Sequence, residues 1–215
     1  VDVAHAAAKA ADQRVAPDPL IPFIQERRVQ RRTMRTTALS SAERKTLEGS
    51  LSSDYQIIWK ERPAEKWALA RLMFANAYVR LTTPEAYRVH RAVIEWDSRY
   101  SETRIPDQAV GVDPLTLKLM RWAMESWERV DFLNRYLMGT VMPRLQLDLV
   151  PGLACSAHFG IAAARPLTTL DDYVAAGRNV QPFGRTASRL GFQIPPEMTP
   201  IIFSRYIREG RSFTG

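Results

Sequence analysis

Between Arg27 and Arg35 the chain places five arginines in nine residues, and inside that run stands Gln30-Arg31-Arg32-Thr33-Met34-Arg35. Guanidinium forks bind phosphate oxygens in pairs, and a hydroxyl adds a neutral donor. Arg31, Arg32 and Arg35 with Thr33 therefore suit a compact dianion such as a phosphomonoester. The bland alternative is a basic surface arm. Other chemistry-bearing residues form no comparable group. His5, His90 and His158 are scattered and show no metal-ligand spacing. There is no Gly-x-Ser-x-Gly elbow and no glycine-rich phosphate loop, and Ser156 before His158 reads as coincidence. Asp171-Asp172 reads as acidic charge on the first turn of a helix, where it complements the dipole. Cys155 is the only cysteine, which excludes an intrachain disulfide and a cysteine zinc site. In its apolar setting it reads as a small core residue.

The chain has 215 residues, enough for one domain with an appended arm, and 46% hydrophobic content supports a sizeable core. A net charge of +7 favours anionic partners such as nucleotides, phosphorylated cofactors, nucleic acid or acidic lipid. The longest apolar stretch, Leu149 to Ala164, is interrupted by Pro151, two glycines and His158, too broken to span a bilayer. The alanines of residues 1–14 alternate with charges, unlike a signal peptide. Together with the lone cysteine this predicts a soluble, cytoplasmic protein. The chain opens without Met and in the middle of a helix-like pattern, so an upstream segment is expected to be missing or supplied by another chain.

The elements that would position these residues are mostly helical. Residues 2–14 have helical composition, and Pro17, Pro19 and Pro22 end it. Pro22 to Arg28 suits a short helix, and Ser40-Ser41 caps a firmer one that Gly49 closes. Tyr55 to Trp59 has strand composition. A helix follows with Trp67, Ala70, Phe74, Ala77 and Leu81 on one stripe. Thr83-Pro84-Glu85 opens another, with Ala86, Val89, Val93 and Trp96 on one face. After a loop from Thr103 to Val112, Asp113-Pro114 opens the longest helix, burying Leu115, Leu119, Trp122, Val130, Leu133 and Leu137. Leu145 to Ala163 reads as a buried strand behind a turn. Leu167 to Asp172 caps a helix that Gly177, Pro182 and Gly184 weaken, ending at Leu190-Gly191. Phe192 to Ile194 is extended, and Pro200 starts a last helix to about Arg208. The fold class is α+β, mostly helical with a small central sheet. Residues 1–25 form an arm or remnant and residues 26–215 the domain.

The order Arg-Arg-Thr-x-Arg, a polar gap and a Ser-initiated helix resembles the N-terminal signature of the nitroreductase family of flavin enzymes, whose usual form is Arg-Arg-Ser-x-Arg. A second stretch, Asp171 to Gln181 and then Thr186 to Phe192, is similar to that family's later core helix with its Leu-Gly-Leu ending. The family's Ser-x-x-Asn-x-Gln-Pro-Trp segment is absent, so the likeness is to divergent members or to the C-terminal part of one. The resemblance implies a nitroreductase-like fold, bound FMN and a homodimer. It also implies hydride transfer from NAD(P)H through the flavin to a nitro or quinone-like acceptor. Arg31, Arg32, Thr33 and Arg35 would hold the FMN phosphate and ribityl chain. Glu197 and Met198 would offer backbone donors near the ring, because Pro195 and Pro196 have no N–H. Arg208 and Arg211 would add a second phosphate contact. Two other readings stay open: a flavin-sequestering or interaction subunit without turnover, and a basic nucleic-acid-binding module. Against the module, the aromatics lie on apolar stripes and do not interleave with basic residues.

Overall fold

Capping residues and glycines set the element boundaries, and a computed structural model describes residues 17–26 and 34–196. Among the described residues the architecture is helices with two small two-stranded sheets, an α+β arrangement. The elements in order are α1 (Phe23–Glu26), α2 (Ser41–Glu48), β1 (Tyr55–Lys60), α3 (Pro63–Leu81), α4 (Pro84–Val93), β2 (Ile94–Glu95) and β3 (Ile105–Pro106). Then come α5 (Pro114–Ala123), α6 (Trp127–Tyr136), α7 (Val141–Arg144), α8 (Val150–Leu153), β4 (His158–Ala163) and α9 (Leu170–Arg189). The expected elements at residues 2–14 and after Pro200 lie outside the described residues. No described helix is long and apolar enough to cross a membrane.

The chain divides into two compact units. Unit 1 gathers Val1–Arg28, Ala42–Gln56 and Ala163–Gln193; unit 2 gathers Val29–Ser41, Ile57–Ala162 and Ile194–Gly215.

Unit 1 is organised by α9. Its start is a capping box: the Asp172 carboxylate accepts from the amides of Thr168 and Thr169 at 3.0 and 2.9 Å, and Thr169 Oγ1 accepts from the Asp172 amide at 3.2 Å. These two amides, with the Arg165 guanidinium, hold the Asp172 carboxyl well below its usual range. Its end is a Schellman motif, in which Gly191 adopts φ +78° and the Phe192 amide donates to the Ala187 carbonyl at 2.8 Å. Phe183, Thr186 and Ala187 are buried, and α1 packs against the helix. Pro182 lies inside α9 without ending it, so the expected weakening does not stop the helix.

Unit 2 is organised by α3. Its buried stripe is Ala70, Met73, Asn76 and Ala77, while Trp67, expected on the core side, is half exposed. The small Ala70 side chain lets α8 approach closely. A Cβ at Gly152 would stand 2.5 Å from Met73 Cε and 2.9 Å from Ala70 Cβ, so only glycine fits there. Leu145 to Ala163, expected as a buried strand behind a turn, holds its strand at His158–Ala163, but Leu145 to Leu153 before it is helical: a π turn at Leu145–Leu149 joins α7 to α8. Apolar runs do not by themselves separate a buried helix from a buried strand. In the π turn Gln146 Oε1 accepts from the Asp113 amide at 3.0 Å, and Gln146 Nε2 donates to the Asp113 carboxylate at 2.6 Å, which ties the start of α5 to the turn.

The single long helix expected from Asp113 to Leu137 is two helices. Ser126 leaves the helical conformation at φ −147°, and its hydroxyl accepts from the Arg129 amide, so α6 starts afresh with its own cap. The break turns the apolar stripe away from a common core. Leu133 is buried, whereas Leu115, Leu119, Trp122 and Leu137 are exposed. On α4 the buried residue is Tyr87, not Val89, because the Tyr87 hydroxyl donates to the Met124 carbonyl at 3.1 Å. The stretch expected as a loop from Thr103 contains β3, which pairs in parallel with β2 through Ile94↔Ile105.

Candidate functional site

The arginine run ends in Met34-Arg35, and both residues are fastened to unit 2 through the backbone. The Met34 amide donates to the Ala154 carbonyl at 3.0 Å, and the Ser156 hydroxyl donates to the Arg35 carbonyl at 3.0 Å. The receiving segment, Ala154–Ser156, lies between α8 and β4 and is itself anchored. Lys66 Nζ, projecting from α3, donates to the Cys155 carbonyl at 2.6 Å. His158 Nε2 lies 2.7 Å from the Gly152 carbonyl, so this nitrogen carries the hydrogen. Gly152 in turn rests on Ala70 and Met73. A packed helix thus fixes a glycine, the glycine fixes a short connection, and the connection fixes the last two residues of the arginine motif.

Charge at this place is positive. Arg35 is exposed, and among the described residues its guanidinium has no carboxylate partner. Lys66 brings a second cation to the connection. Cys155 is buried, and burial pushes its thiol above the ordinary value while the Lys66 charge pulls the other way. The thiol is therefore neutral at ordinary pH and is a packing residue, as its sequence setting implies. Nothing in the sequence marks Lys66, and Ser156 before His158 reads there as coincidence. The Ser156 hydroxyl serves as a donor to the backbone, and Lys66 stands 89 residues from the carbonyl that it binds.

A phosphate end-group fits what is described here, since a dianion accepts hydrogen bonds and the exposed guanidinium of Arg35 donates them. Arg31, Arg32 and Thr33 lie outside the described residues, as do Glu197, Met198, Arg208 and Arg211. Of the expected site, Arg35 alone is placed. Among the described residues no group of three or more His, Cys, Asp or Glu side chains could hold a metal ion.

Compared with protein-family models, curated proteins and solved structures, the chain finds no match.

Proposed function

We propose that the chain is an FMN-dependent oxidoreductase of nitroreductase type with a nitroreductase-like fold, acting in the cytoplasm as a homodimer or with a partner chain that supplies a missing segment. The observation that carries this reading is the fastening of Met34 and Arg35 to Ala154–Ser156. An arginine motif on a free arm would decorate a surface, whereas here the Arg35 side chain springs from a backbone tied to a packed connection. Pre-set donors bind a phosphate with less ordering cost than mobile ones.

In this reading Arg31, Arg32 and Arg35 hold the FMN phosphate, Thr33 adds a hydroxyl donor, and the Glu197 amide donates near the ring. Bound flavin supplies the hydride chemistry, accepting from NAD(P)H and passing reducing equivalents to a nitro or quinone-like acceptor. The chain's own contribution is binding and a positive field. Exposed apolar residues on α5 and α6, among them Leu115, Trp122, Phe132 and Tyr136, support a face covered by a second copy.

The test is the visible spectrum of the purified protein. Flavin bands that bleach on adding NADPH are expected. Arg31→Ala with Arg35→Ala should weaken flavin binding on the order of a hundredfold, two charge-assisted contacts being lost. Full flavin occupancy in that double variant would overturn the assignment. Bands that do not bleach indicate a sequestering subunit, and a colourless protein that shifts DNA with a steep salt dependence indicates the nucleic-acid reading.

A further inference from the structure

A second basic site lies in unit 2, built by the pairing of β2 with β3. Nine residues separate the two strands, and parallel neighbours joined so briefly need the connection to be held. The buried Asp107 holds it: its carboxylate accepts from the amides of Asp97 and Ser98 at 3.0 and 3.2 Å. Asp97 sits at φ +56°, a conformation that L-residues rarely adopt. From α5, Arg121 Nη1 reaches both Asp97 carboxylate oxygens at 2.6 Å. Strain of this kind persists only where the surroundings over-determine it, and it collects at binding sites.

The clamp brings Arg104 beside Arg91 of α4 and Arg121 of α5, all three lining one cavity of about 380 Å³. Ile94, Trp96 and Met124 supply its apolar wall, and Glu125 lines it as well. The charges do not cancel. Glu125 is taken by Arg129 and Arg121 by Asp97. Arg91 donates to the neutral Tyr87 hydroxyl at 3.3 Å, and among the described residues neither Arg91 nor Arg104 has a carboxylate partner. Like charges collected at one concavity repel, and an entering anion relieves that repulsion. An indole beside guanidiniums adds a flat surface on which a planar ring stacks.

We infer that this cavity binds a small aromatic phosphomonoester of the nucleoside monophosphate class, its phosphate held by Arg91 and Arg104 and its ring against Trp96. These residues are separate from Arg35, so the site stands whether or not the flavin reading does. Arg91, Arg104 and Arg121 are 13 and 17 residues apart, a spacing with no local signature, which is why the sequence does not announce them.

The experiment titrates the full chain with AMP, and separately with inorganic phosphate, by calorimetry and tryptophan emission. All five tryptophans lie in unit 2, so emission reports that unit alone. Saturable AMP binding with quenched emission is expected, with phosphate competing more weakly. Arg91→Ala and Arg104→Ala should each weaken AMP about tenfold, the loss of one charge-assisted contact. Trp96→Phe should abolish most of the quenching. Arg88→Ala, an exposed α4 residue paired with Glu85, should change nothing. Arg104→Ala keeps the test usable should Arg91→Ala disturb folding through Tyr87. Absence of saturable binding at millimolar AMP overturns the inference, and so does an equal loss in Arg88→Ala. Flavin content measured on the same variants should be unchanged; its loss would place the flavin phosphate here and overturn the separate site.

Discussion

At the scale of single residues, a few charged side chains are held so firmly that their ionisation is tied to folding. Glu65 is the clearest. Its carboxylate accepts from the Arg62 guanidinium at 3.0 Å, the Lys60 ammonium at 3.2 Å and the Arg62 amide at 3.2 Å. The Arg62 hydrogen bond is the main cause that holds its pKa at about 2, below its ordinary value of 4.5. A depressed acid stabilises the folded state above its unfolded pKa and loses that contribution as pH falls through the folded one. Glu65→Gln should therefore unfold at a lower temperature than the wild type near neutral pH. The gap should close between about pH 4.5 and about pH 2, and calorimetry across that range checks it. A gap independent of pH would show that the carboxylate's charge has no part in it.

Among the elements, starts with chemical punctuation are legible in the sequence, and the apolar period of α3 marks a helix, but an apolar run does not show where a helix breaks. Helices α2, α3, α4 and α9 start where Ser, Pro or a capping box places them, and β1 is where its β-branched and aromatic residues stand. Ser126 is the same kind of signal, but the apolar residues on either side of it matched one helical period so well that the cap was passed over. Periodicity marks a face as apolar; it does not say which of two faces finds a partner. Leu133→Ala, buried, should cost about 2–5 kcal/mol in urea denaturation. Val89→Ala, expected on a core face but 60% exposed, should stay within about 0.5 kcal/mol. Similar losses at both sites would mean that the exposure of Val89 is misplaced. The cavity arginines and the Lys66 contact were illegible for a different reason, since partners far apart in sequence leave no local trace.

For the molecule as a whole, the two units are woven from alternating segments, and the chain passes from one to the other at residues 28, 41, 56, 162 and 193. Within unit 1 the Ser52 amide donates to Asn179 Oδ1 at 2.9 Å across 127 residues of sequence. Closing so long a loop comes after local contacts have formed. In pulse-labelled hydrogen exchange during refolding, protection of the Ser52 amide should lag behind the amides of α3, which bond within their own helix. Simultaneous protection would argue against this order.

The same interleaving bears on how the protein is made. Most of unit 2 has been synthesised before the first residue of α9 is added, whereas α2 waits through more than a hundred codons for the helix that completes its unit. Throughout that interval the nascent chain carries a half-built module, with α2 made and nothing yet to close it.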